Sequence, residues 1–417
     1  MREGEVLLLL LAFFLHVSLF TAYGMLRPVR SMVGTLGLLE WLYTFTFVLI
    51  LVAQPLYAWV ASRYPREKFI PLVYGFFALN LIGFWVVWTY TTGDVRLYSQ
   101  YTFFAWLSAF VMFAVSVFWG FMADVFTPEQ GLRLFGCIAA GASIGRIVGS
   151  SLTALLASGA LIAGFESVDL MLVSVVFLGL GVFLAWLLAR VVARGKVIAR
   201  PATVEAVGGT ILAGATHVAR SRYLLLVALY IFLLTLSNTF LDFLQNNIVK
   251  DETQDIDERT ALFAIVDVFA NVAPLVMQLV LTGRIIRIIG IGPALAILPA
   301  VAIGGFTGLG MSATYVVLAV VQAVINTGRY AVAKPSREAL FTVVEREDRY
   351  KAKTFLDTVV YRGGDVANGF LFATLFGAGL SLSALALLVV PIAAVWVLVG
   401  LALGRLHGAR LVSAESQ

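Results

Sequence analysis

The sequence predicts an all-α polytopic membrane protein with twelve transmembrane helices arranged as two six-helix bundles. Three observations carry this reading. Of 417 residues, 61% are hydrophobic and only 13% are charged, about half the charged fraction of a soluble domain. The apolar runs are continuous over about 20 residues, the length of a spanning helix rather than of an alternating barrel strand. One long polar connection divides the runs into six and six. In lipid every buried backbone group must bond internally, so continuous apolar runs fold as helices.

The predicted spans are 6–30, 38–61, 69–91, 98–124, 132–159, 168–190, 223–248, 260–282, 291–311, 314–334, 354–378 and 382–404. The first is read as a retained helix rather than a signal peptide, because no small-residue cleavage site follows Val6–Phe20. Residues 1–190 form the expected N-terminal bundle, 191–222 a cytoplasmic central loop and 223–417 the C-terminal bundle. The central loop carries Arg194, Lys196, Arg200, Arg220 and Arg222 against Glu205. Breaks on the same side hold Arg63, Arg66, Lys68, Arg133, Arg284, Arg287, Arg337, Arg346, Arg349, Lys351 and Lys353. Breaks on the other side hold little beyond Arg96, Lys250 and Arg259. The positive-inside rule makes the rich side cytoplasmic, which places both termini there, and the expected location is a bacterial inner membrane.

No GxxxxGK[ST] phosphate loop occurs, as a nucleotide-hydrolysing pump would require. His16, His217 and His407 are far apart and Cys137 is the single cysteine, so neither a metal centre nor an intrachain disulfide is expected. No cofactor and no nucleic-acid partner are expected either, and nothing assembles a nucleophile, base and oxyanion site. The net charge of +5 is read as orientation charge. The expected partners are membrane lipid and a small anionic solute, with the protein a monomer.

Ionisable residues within spans are costly and mark functional paths. They are Arg27 and Arg30 (span 1), Asp124 (span 4), Arg146 (span 5), Asp242 (span 7), Asp267 (span 8), Arg329 and Lys334 (span 10), and Asp357, Arg362 and Asp365 (span 11). Lys334, Asp124 and Lys353 also fit snorkelling at a membrane face. Arg27 fits an interfacial anchor, and the deeper residues fit structural ion pairs. Arg30, Arg146, Arg329 and Arg362 form an arginine set suited to carboxylate or phosphate, which arginine grips with two parallel N–H bonds. Tyr23, Trp119, Tyr330 and Tyr361 could stack a ring. The glycines 141, 145 and 149 have the spacing of close helix packing, and Pro55, Pro274, Pro299 and Pro391 read as kinks.

Six plus six helices about a cytoplasmic loop resembles the layout of major facilitator transporters. Ser62-Arg63-Tyr64-Pro65-Arg66-Glu67-Lys68 and Gly283-Arg284-Ile285-Ile286-Arg287 resemble that superfamily's basic loops. Four stretches resemble the ATP/ADP antiporter family of plastids and intracellular bacteria. These are residues 23–30 (YGMLRPVR), 118–127 (FWGFMADVFT), 238–242 (NTFLD) and 349–357 (RYKAKTFLD). The resemblance implies nucleotide exchange, with Arg30, Asp124, Asp242 and one of Lys351 or Lys353 at the family's charged positions. Arg30 stands where the family has lysine, the two aspartates where it has glutamate, and Ser31 where it has an acid. Two gates are expected, Arg30 with Asp242 on the outer side and Asp124 with Lys334, Lys351 or Lys353 on the inner side. Proton-coupled transport of another solute, such as a lipid or drug, and a non-transporting receptor are the competing readings.

Overall fold

The computed structural model describes residues 5–63, 66–194, 211–280, 288–344 and 352–415. Among these no strand occurs, and ten helices are long and apolar enough to cross a membrane, with a shorter apolar helix over Leu39–Pro55. Within the described residues each of the twelve predicted spans falls on helix. The helices are α1 (Glu5–Gly34), α2 (Leu39–Arg63), α3 (Arg66–Tyr90), α4 (Gly93–Val125), α5 (Pro128–Ala157) and α6 (Leu170–Arg194), then α7 (Ile211–Arg220), α8 (Arg222–Glu252), α9 (Ile256–Val280), α10 (Ile291–Met311) and α11 (Tyr315–Thr327). A π turn (Gly328–Ala333) joins α11 to α12 (Lys334–Ala339); a second (Leu356–Val360) leads into α13 (Tyr361–Gly377), followed by α14 (Leu382–Glu415).

Three features differ from expectation. The predicted central loop contains the helix α7, on which Val218 is buried while Thr216, Ala219 and Arg220 are exposed; such a one-sided helix is too short and polar to read as a span. The last helix continues to Glu415. Span 10 runs beyond 334 through α12, so Arg337, counted above as a loop cation, sits on helix. Lys351, Arg284, Arg287, Arg346 and Arg349 lie outside the described residues.

The chain divides into two compact units. The first comprises Met1–Leu38, Thr44–Val204 and Thr253–Val268. In it α1 packs along α5, α6 and α4. Apolar burial drives little association between helices in lipid, so small residues and interhelical hydrogen bonds carry the packing. A Cβ on Gly145 or Gly149 would collide with the α1 backbone at Val17 O and Thr21 O respectively. At this approach the side chains of Ser150, Thr153 and Ser174 reach carbonyls of α1 at Gly24 (3.3 Å), Met25 (3.2 Å) and Ala22 (3.4 Å). α5 begins in a capping box: Thr127 Oγ1 accepts from Gln130 N (3.4 Å) and Gln130 Oε1 from Thr127 N (3.0 Å). The free donors of the helix start and the Thr127 hydroxyl hold the Glu129 carboxyl below its usual range. Buried Glu5 accepts from Arg133 (3.0 Å) and Gln130 (3.2 Å).

The second unit comprises Leu39–Tyr43, Glu205–Glu252 and Phe269–Gln417. α10 and α14 touch backbone to backbone at Gly292 and Gly404. α8 is the most buried span; it packs on α13 and α14 and carries a polar stripe at helical spacing, Thr235, Asn238, Thr239, Asp242 and Gln245. Gln322 of α11 donates to Gln245 (2.9 Å).

Candidate functional site

The two π turns lie beside one cavity of about 320 Å³ in the second unit. Arg329, Tyr330 and Ala333 of the first turn line it with Lys334 and Arg337 of α12, Asp357 of the second turn, Tyr361 and Arg362 of α13, and Leu234 of α8. A π turn carries one residue more than an α turn and is most often found where function requires it. Pro335 accounts for the first. It has no N–H to donate and crowds the preceding turn; there the ladder widens, and Lys334 N bonds to Arg329 O five residues back. At the second turn Tyr361 N bonds to Leu356 O.

The polar contacts form three sets. Asn238 holds the first: its Oδ1 accepts from Arg329 Nη2 and its Nδ2 donates to the Tyr361 hydroxyl (3.4 Å). In the second Arg362 pairs with Asp365 (3.6 Å), whose other oxygen accepts from Thr239 (3.3 Å). In the third Arg337 lies 3.3 Å from Asp357 and 3.7 Å from Glu338, and Lys353 is paired with Glu338. Cavity and contacts together bring five cationic side chains against three carboxylates, so positive charge is in excess. Among the described residues, Nε of both Arg329 and Arg337 is buried without a hydrogen-bond partner, each at a cost of about 1–3 kcal/mol. The arrangement is cationic, rich in N–H donors and flanked by two tyrosine rings, which suits an anion carrying oxygen acceptors and a flat group.

Among the residues expected from sequence, Arg329, Asp357 and Arg362 line this cavity together with Lys334, Tyr330 and Tyr361, and Lys353 is joined to it through Glu338. The others lie elsewhere. Asp242 accepts from Tyr43 (3.0 Å) in the second unit. In the first unit Arg27 of α1 is paired with buried Asp267 of α9. Arg30 lies flat over the Phe104 ring at 3.7 Å and donates to Phe104 O (2.9 Å). Half-buried Arg146 presents its backbone to Gly24, and Asp124 sits half-buried in the last turn of α4. The arginine set is therefore split, with only Arg329 and Arg362 sharing the cavity. Sequence reasoning passed over Asn238 and Arg337. The polar stripe on α8 was the available signal for Asn238. For Arg337 it was the three-residue spacing from Lys334, which puts both on one helix face. Among the described residues no cluster of three potential metal ligands occurs.

No protein-family model and no curated protein sequence matches the chain. Solved structures do. The nucleoside transporter NupG superposes with a TM-score of 0.66 at 14% identity, covering 96% of this chain and 99% of that one. A bacterial homologue of the human lysosomal transporter Spinster, in an inward-facing and unoccupied conformation, gives 0.62 at 12% identity over 99% and 98%. The human organic anion transporter MFSD10 gives 0.58 at 14% identity over 96% and 100%. These likenesses show that the chain has the all-α, polytopic major facilitator fold.

Proposed function

We propose that this protein is a secondary transporter that moves an anionic, phosphate-bearing solute by alternating access between two six-helix halves, with nucleotides the first candidates. The observation that carries the reading is the cation excess around the cavity of the second unit. A phosphate monoester brings about −1.5 to −2 charges at neutral pH. Arg329, Arg337 and Arg362 can grip its oxygens in pairs, while Lys334 acts as a point charge. Tyr330 and Tyr361 offer faces for a base or another flat group. The resemblance of residues 349–357 to the nucleotide exchangers supports the same solute class, as do the nucleoside and organic-anion transporters of the same fold. In this reading Arg30 and Asp242 serve the outer gate and Asp124 the inner one.

Proteoliposome counterflow tests the proposal. Labelled ATP, ADP or a sugar phosphate should exchange against internal unlabelled anion, and a protonophore should leave the exchange unchanged. Absence of flux for every phosphorylated solute overturns it. The proton-coupled reading, in which Asp124, Asp242 or Asp267 takes up the proton, has a further candidate in Asp365, a carboxylate that is 7% exposed between Thr239 and Arg362; it predicts uptake that collapses with the protonophore.

Asn238 offers a sharper check. Replacing it with aspartate puts a negative charge on the atom that already accepts from Arg329, and the guanidinium is then neutralised from within the protein. Asn238→Asp is expected to raise the KM for the anion about tenfold, the equivalent of losing roughly one charge-assisted contact, while the yield of folded protein is unchanged. An unaltered KM would remove Arg329 from the binding set.

A further inference from the structure

A second cavity, of about 240 Å³, lies in the first unit where the start of α3 meets the ends of α4 and α6. Its wall is apolar, from Pro71, Phe121 and the alanines 185, 189 and 193, with Trp186 and Arg190 at its side. The alanines recur every four residues and so follow one face of α6, leaving a channel along the helix. Trp186 is stacked against Phe183 (5.8 Å between centroids), and the Arg190 guanidinium lies 3.7 Å over the Trp186 ring. Among the described residues Arg190 has no carboxylate partner.

We propose that this groove binds an anionic phospholipid, its phosphate on Arg190 and an acyl chain along the alanine face. Stacking on Trp186 restrains the guanidinium, and its N–H donors, with no carboxylate partner among the described residues, can bind a phosphate with two bonds. Tryptophan belongs at the headgroup level of a bilayer, with its ring against the first methylenes. In the sequence, Arg66 and Lys68 precede Pro71, and Arg194 and Lys196 follow Arg190. Such clusters enrich acidic lipid beside them. A zwitterionic lipid would carry its own cation to the same spot and lose the match.

Fluorescence quenching reads this site without reference to transport. The full chain is reconstituted with brominated phosphatidylglycerol or brominated phosphatidylcholine at equal mole fraction. The chain has eight tryptophans, so the signal of Trp186 is the difference between the wild type and Trp186→Phe. This difference should show apparent binding about fivefold stronger for phosphatidylglycerol, the effect of one well-placed cation at an anionic surface. Arg190→Gln should bring the two lipids to parity, Arg190→Lys should keep part of the preference, and Ala189→Leu should weaken both by filling the channel. Equal quenching by the two lipids in the wild type, or a preference that survives Arg190→Gln, overturns the proposal.

Discussion

Replacing Arg329 with glutamine is expected to raise the KM for the transported anion between about 10- and 150-fold, with folded yield retained. The range follows from the roughly 1.5–3 kcal/mol that a charge-assisted hydrogen bond contributes. Arg329 sits on the wide first turn beside the cavity, and Asn238 fixes one of its terminal nitrogens. The guanidinium therefore loses little freedom when an oxygen ligand arrives. Glutamine can still donate to Asn238 but brings no charge. Arg329→Lys keeps the charge and loses the fork, so it should fall between the two. Initial-rate counterflow against substrate concentration, at matched protein density, separates KM from maximal rate. A wild-type KM in Arg329→Gln would mean that the solute binds elsewhere.

The largest structural effect is expected at Gly149. A side chain there meets the backbone of α1, at Thr21 O, Met25 N (2.8 Å) and Gly24 C (3.0 Å), and backbone cannot swing aside as a side-chain tip can. Gly149→Val must push α1 from α5 and stretch the Ser150 and Thr153 bonds to α1 carbonyls. Overpacking of this kind costs about 3 kcal/mol or more. Gly136→Val, on the same helix where an added Cβ meets nothing, is the matched control. Chemical unfolding in detergent should give a clearly lower midpoint for Gly149→Val and a small change for Gly136→Val. Equal midpoints would refute the close approach.

Much of this fold was legible because lipid demands a simple code. An apolar run of about 20 residues with capped or polar ends has one structural outcome, and the glycine spacing of α5 marked a close helix approach without naming α1 as the partner. The charged positions of spans 10 and 11 were legible for the same reason, since Arg329, Asp357 and Arg362 are too costly to face lipid. Geometry that depends on a change of helical pitch was not legible. Residues 328–333 and 356–360 keep ordinary helix-compatible composition, and periodicity in sequence cannot register one extra residue per turn. Arg337 was read as a loop cation because Lys334-Pro335 resembles a helix end. The pairing of Arg27 with Asp267 joins residues 240 positions apart, and charge placement along single helices could not select it over other partners.

The wide turn at Gly328–Ala333 also sets a reading frame for whatever follows it. One surplus residue rotates the rest of the helix by about 100° relative to an uninterrupted spiral. Lys334 and Arg337 reach the cavity only in that rotated phase. Deleting a single residue between 328 and 333 would close the spiral and turn both cations away without altering any chemical group. Alignments with relatives should therefore be read for gaps at this point, since a one-residue shift there changes which side chains share the cavity more than most substitutions would.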